Sequence, residues 1–449
     1  MRKEGRVFGP WRAALAAVLV LAAVGVPAFA QSRQLVVVTS FPKELFETYK
    51  QAFEARYPGV EVVITQKQTS AGVTYVRETA ARPVADIFWA SAVDAFMYLK
   101  QLGLLQPYRP PAAIMQRIAS QIGSFPVHDP DGYYLGFAVS GYGIMWNKPY
   151  LQAHRLPEPR EWDDLVRPEY YGHVVISSPS RSGTTHLTIE AILQAYGWEK
   201  GWELLLAMGG NMGTITERSF GVPEAVTSGQ YGIGVVIDFF GLSAIATGQP
   251  VGFAYPVKTA MVPANVAILK GAPNADNARR FVDFLLSEEG QRLLFKPEIG
   301  RLPVDAGLYA QAPPGFPNPF AMKEIGIDFN ADLSSNRYQL INILYDQIIT
   351  FRHGELKAAW GAIHRAQAAL AASRGDQAQQ ARPLLEEARR LASGVPVPEA
   401  QANDPDFNRR IEQDASFRAA LEREWDQFAR DRYNRAAAAA REAERLARR

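Results

Sequence analysis

Nine consecutive residues, Ser178-Pro179-Ser180-Arg181-Ser182-Gly183-Thr184-Thr185-His186, have the types and spacing of an oxyanion cradle. They follow a short apolar run, Val174-Val175-Ile176, and open a helical pattern from Leu187 to Tyr196. The first backbone N–H groups of a helix have no partner within it, and the helix dipole favours negative charge at that end. Ser182, Thr184 and Thr185 add side-chain donors, and Gly183 lets a ligand approach the backbone closely. The same residues also make an ordinary Ser/Thr helix cap, so the surrounding chain has to decide between the two.

Upstream, the sequence reads as repeated strand–helix units. Leu35-Val36-Val37-Val38, Val60 to Ile64 and Ala85-Asp86-Ile87-Phe88-Trp89 are strands. Each is followed by a helical pattern, the first carrying Leu45, Phe46, Tyr49 and Phe53. Alternation of this kind predicts a parallel sheet with right-handed crossovers. A serine precedes each helix: Ser40, then Ser70, then Ser91. Open α/β sheets bind ligands outside the carboxyl ends of their strands, so the three serines fit one crevice as well as they fit three separate caps.

Tyr133 to Trp146 is a long β-like stretch, read as a strand crossing into a second lobe that holds the Ser178–His186 motif. That lobe continues through Thr216-Glu217-Arg218-Ser219-Phe220 to a buried strand, Ile233 to Ile237, ending at Asp238-Phe239-Phe240. Pro250 to Phe253 and Val262 to Leu269 cross back, and the helix Asp276 to Leu286 closes the first lobe. Two crossings make a hinge, with the ligand cleft between the lobes. Beyond residue 330 the chain turns helical and rich in Ala, Arg and Glu. Its final helix carries a stripe of Phe417, Leu421, Trp425 and Phe428.

The 449 residues, 47% hydrophobic and 21% charged, are enough for two or three ordinary globular domains. A net charge of +2 gives no electrostatic footprint for nucleic acid. Residues 1–30 have the pattern of a cleaved leader: Arg2, Lys3, Arg6 and Arg12, an apolar run from Ala13 to Val26, and Ala28-Phe29-Ala30 as the cleavage site. The mature chain is therefore expected to begin near Gln31, in a bacterial periplasm and not spanning the membrane. There is no cysteine, so no disulfide, lipid-acceptor thiol or thiolate metal site is available. The six histidines show no metal-ligand spacing, and neither a metal nor a cofactor is expected.

Taken together, the blocks Asp86-Ile87-Phe88, Trp146-Asn147-Lys148, Ser178 to Thr185, Ala225 to Gly229 and Phe284 to Gln291 resemble the periplasmic solute-binding proteins of ABC importers. The match covers roughly residues 34–305. It is most similar to the branch that holds binders of ferric iron, 2-aminoethylphosphonate, hexose phosphates and phosphoglycerates. Lys323 to Arg365 resembles the phosphoglycerate-transport regulatory type. The resemblance implies an α/β, two-lobed type II periplasmic-binding-protein fold with a hinge and an interlobe cleft, plus a C-terminal helical extension. The expected division is 31–138 with 257–330 as lobe 1, 139–256 as lobe 2, and 331–449 as the extension.

It also implies a non-catalytic receptor for a small phosphorylated or phosphonate organic anion, serving an ABC permease or a membrane sensor kinase. Ferric-iron members use two adjacent tyrosines where this chain has Phe239-Phe240, and phenyl rings carry no oxygen for Fe3+. The expected ligand-binding set is Ser182, Gly183, Thr184 and Thr185 from the second lobe, with Ser40, Ser70 and Ser91 from the first. Arg181 or Arg218 supplies countercharge, Asp238 accepts from a ligand hydroxyl or amine, and Phe41 and Phe239 form an apolar wall. Two alternatives stand beside it: a ferric-iron binder, and a phosphate-ester hydrolase using the neighbouring Ser182 and His186.

Overall fold

The computed structural model describes residues 34–322, 326–373 and 376–448. The leader read over residues 1–30 lies outside them. Three β-branched, apolar strands start the fold, as expected for segments buried on both faces of a parallel sheet. Gln34–Thr39 pairs in parallel with Glu61–Gln66, in register from Gln34 opposite Glu61 to Thr39 opposite Gln66, and with Ile87–Ala90 on its other side. Between them, helix Lys43–Arg56 turns Leu45, Phe46, Tyr49 and Phe53 inward. Of these, Tyr49 and Phe53 meet Trp89, Phe137, Phe281 and Phe284 in an aromatic core of mostly edge-to-face rings.

The crossing strand, Leu135–Asn147, is buried at every one of its 13 positions. Its first half pairs antiparallel with Met261–Leu269, ending with Gly141 opposite Met261. Its second half pairs with Ile233–Ile237, beginning with Tyr142 opposite Ile237, and with Val251–Ala254. One strand thus belongs to both sheets and changes partners between Gly141 and Tyr142. Gly141 is required there, because a Cβ would stand 2.3 Å from the Met261 sulfur and 2.7 Å from the Tyr255 ring. The strand order runs Glu61–Gln66, Gln34–Thr39, Ile87–Ala90, Met261–Leu269, the crossing strand, Ile233–Ile237, Val174–Ser177, Met212–Thr216. The chain returns to the first sheet between Ala254 and Met261, which completes two lobes on two crossings.

Local structure departs from the sequence reading in two places. Asp238-Phe239-Phe240 is the first turn of helix Asp238–Ala246, not the end of a strand. In the final helix, Ala415–Ala447, only Trp425 of the expected stripe is fully buried. The buried line continues instead through Ala429, Tyr433, Ala436, Ala440, Ala443 and Ala447. Alanines let helices approach closely, and this one packs along His353–Ala372 and Asp376–Ala392. The C-terminal helices share one continuous core with the second lobe, joining Trp202, Leu205, Trp360 and Trp425.

Candidate functional site

Six strand ends converge on one cleft. From the first lobe, Gln34–Thr39 delivers Ser40 and Phe41, Glu61–Gln66 delivers Lys67 and Thr69, and Ile87–Ala90 delivers Ser91. From the second, Val174–Ser177 leads to Arg181, Ser182, Gly183 and Thr184, while Arg218 and Phe239 follow two other strands. They line one tight cleft. Of the twelve residues expected from sequence, the structure brings nine together around this cavity: Ser40, Phe41, Ser91, Arg181, Ser182, Gly183, Thr184, Arg218 and Phe239.

The other three stand elsewhere for clear physical reasons. Ser70 donates its hydroxyl to the Ser180 carbonyl, tying one lobe to the other, and its neighbour Thr69 lines the cavity instead. Thr185 is buried, and its N–H donates to the Ser182 hydroxyl oxygen at 3.1 Å. Asp238 is buried behind the lining. It accepts from the Gly141 N–H at 2.7 Å, the Tyr255 hydroxyl at 3.0 Å and the Phe239 N–H at 2.8 Å. Burial pushes its carboxyl up to about 7, against those donors and Arg301. It fastens both crossings rather than facing the cavity.

Ser182 is the N-cap of helix Gly183–Tyr196, so the cap and the cradle are the same object. The N–H groups of Gly183 and Thr184 begin that helix and face the cleft end of its dipole. Gly183 has a further reason for being glycine: a Cβ would sit 2.6 Å from the Ala92 Cβ and 2.9 Å from the Thr69 hydroxyl, both on the opposite lobe.

The residue that sequence reasoning missed is Arg301. It is wholly buried yet lines the cavity. Its guanidinium lies 3.7 Å from the Phe239 ring centroid and 4.4 Å from that of Phe41. Among the described residues its side chain makes only long hydrogen-bond contacts, to Ser140 at 3.4 Å and Ser91 at 3.5 Å, and its Nε is without a partner. Burial pulls its pKa down to about 9, with the Asp238 carboxylate opposing that. No strand–serine pattern precedes it, since it arrives on the loop before the two-residue strand Leu302–Pro303. Only pairing with the crossing strand brings it to the cleft.

Among the described residues, the cavity wall holds four cations, Lys67, Arg181, Arg218 and Arg301, and no Asp, Glu, His or Tyr. Arg181 bonds the exposed Glu217 at 2.7 Å. Such a wall suits an anion and offers no anionic oxygen to a hard metal cation. Among the described residues, no cluster of three His, Asp or Glu could hold a metal ion. His186 does not serve Ser182. It is wholly buried, its Nε2 lies 3.0 Å from Asp94 and its Nδ1 2.9 Å from Asn342, so both ring nitrogens are engaged away from the cleft.

The family model for bacterial extracellular solute-binding proteins matches residues 82–331. The chain belongs to that family. It is 35% identical over 382 residues to the phosphoglycerate transport regulatory protein PgtC of Salmonella typhimurium, covering 84% of this chain and 89% of the relative. Its fold is similar to the periplasmic binding protein AfuA from Actinobacillus pleuropneumoniae, solved with fructose-6-phosphate. That match has a TM-score of 0.63 at 23% identity and covers 71% of this chain and 98% of that one. The ferric ion-binding protein A of Pasteurella haemolytica matches with a TM-score of 0.57 at 19% identity, over 70% and 98%. The fold is thus the two-lobed type II binding-protein fold, with a helical C-terminal part, and the family and its neighbours are binding proteins. Among the described residues no helix is long and apolar enough to cross a membrane.

Proposed function

We propose that this chain is a periplasmic, non-catalytic receptor for a small phosphorylated or phosphonate organic anion. It would deliver that anion to an ABC permease or report it to a membrane sensor kinase. The observation that carries this reading is Arg301: a buried cation held between two phenyl rings, with an unpartnered Nε and no carboxylate bonded to it. A buried charge with no hydrogen-bonded counterion is costly, and a ligand anion relieves that cost while gaining charge-assisted hydrogen bonds. The helix N-terminus at Gly183 supplies the second anchor, and the four cations of the wall disfavour ligands whose far end is an ammonium. Phosphoglycerates and sugar phosphates therefore fit better than 2-aminoethylphosphonate. The relationship to PgtC supports the same class.

Calorimetric titration with 3-phosphoglycerate, glucose 6-phosphate, 2-aminoethylphosphonate, inorganic phosphate and Fe3+ tests it. One-to-one binding of an organic phosphate, weakened in Thr184→Ala and Arg301→Gln, is the expected result. Binding of Fe3+ alone overturns the proposal.

A further inference from the structure

The segment 326–346 touches the return crossing and both lobes. It starts on the return crossing, where Gly326 and Ile327 donate their N–H groups to the Val257 and Thr259 carbonyls at 3.1 and 2.7 Å. It then meets one face of helix Gly183–Tyr196, whose residues His186, Glu190 and Gln194 recur every fourth position and so stand in a row. Each makes one rung. Asn342 meets His186 at 2.9 Å. Arg337 grips Glu190 with two bonds of 2.8 Å. Asn330 exchanges bonds of 2.7 and 3.1 Å with Gln194. Arg337 and Glu190 are both buried, so the segment is fixed to the second lobe.

It also holds the first lobe at several points: the Ser124 hydroxyl donates to the Asp328 carboxylate, and the Phe329 ring lies 6.3 Å from that of Phe125. Ser334 donates to the Asp94 carboxylate at 2.8 Å, and Tyr338 stacks on Tyr98 at 5.9 Å. Asp94 is wholly buried and shared, since the same carboxylate oxygen lies 3.0 Å from His186 of the second lobe. A single first-lobe carboxylate thus grips the other lobe and the crossing segment together.

We infer that residues 326–346 form a strap that rides on the second lobe, grips the first through Asp94, and biases the cleft toward its closed form. Opening the cleft releases Asp94 from both partners at once, while the three rungs to the second lobe stay made. The bias is built into the chain and needs no ligand, so it sets how readily the empty receptor opens and how slowly a loaded one lets go. This inference concerns lobe motion alone and stands apart from the identity of the ligand.

The absence of cysteine makes the test direct. Spin labels on Thr74→Cys in the first lobe and Glu224→Cys in the second, both exposed sites, report the interlobe distance in ligand-free full-length protein. Ser334→Ala and Asp94→Asn are each expected to raise the population of the longer-distance form at least about tenfold, the weight of one hydrogen bond to a charged group. Arg352→Gln breaks a C-terminal pair with Asp426 outside the strap, and is expected to leave the distances unchanged. Ser334→Ala protein that melts cooperatively with unchanged distances overturns the inference. So does an equal widening in Arg352→Gln, which would mark general loosening.

Discussion

The guanidinium carbon of Arg301 lies 3.7 Å from the centroid of the Phe239 ring, so a residue read as apolar wall is the surface on which the buried cation rests. Cation–π contact at a desolvated site is worth about 2 kcal/mol, enough to position the guanidinium in place of an ion pair. Phe239→Ala should therefore weaken anion binding by about ten- to thirtyfold while leaving the fold intact, as read by calorimetry and thermal melting.

Removing the cation itself separates binding from stability. Arg301→Met takes away the charge that burial makes costly and keeps most of the volume. The ligand-free melting temperature should stay level or rise, while affinity for an organic phosphate falls about a hundredfold, the equivalent of about 2–3 kcal/mol from a charge-assisted bond. A variant that binds as the parent does would remove Arg301 from the site.

Gly183→Ala tests closure. Its added methyl would meet Ala92 at 2.6 Å across the cleft, on two lobes that can separate to relieve it. The substitution should leave the melting temperature within a few degrees of the parent and cut ligand affinity more than tenfold. Small-angle scattering should show the protein more open with ligand present. Unchanged affinity would mean that the lobes need not meet at this point.

Asp238 gives stability a slope with pH. Its folded pKa of about 7, raised chiefly by burial, lies above the ordinary unfolded value of about 3.9. Between those values the folded state binds the extra proton, so this group lowers stability as pH rises from about 4 to 7. Asp238→Asn should gain stability relative to the parent across that window in denaturant titrations. A constant difference would show that Asp238 does not titrate there.

His186 acts higher on the pH scale. Burial alone would lower its pKa, but the Asp94 carboxylate overrides this and raises it. Its stabilising contribution is complete below the unfolded value of about 6.5 and is lost as pH rises through the raised folded value. Glu190 and Tyr338 also face the ring, and of these only Glu190 is charged near neutrality. Asp94→Asn should flatten the parent's decline in stability above pH 6.5, measured by chemical denaturation; an unaltered slope would rule the pair out as its source.

Much of this protein was legible along the chain. The runs Leu35–Val38, Val174–Ile176 and Ile233–Ile237 are strands because β-branched residues fit a doubly covered sheet, and periodicity along a chain reports such burial directly. Ser40, Ser91 and Ser182–Thr184 could be read because strand ends and helix starts are local events, and the fold's handedness gathers them on one side. What tertiary structure alone decided are the pairings between distant segments. Arg301 reaches the cleft only because Leu302 pairs with Val139, and Asp238 turns from ligand candidate to hinge clamp only because Gly141 and Tyr255 reach it first. His186 sits four residues from Ser182, yet its partners Asp94 and Asn342 come from other parts of the chain. Spacing along a chain constrains which groups share a face. Which charge a buried group meets depends on how separate elements pack, and that information appears only when the chain has closed on itself.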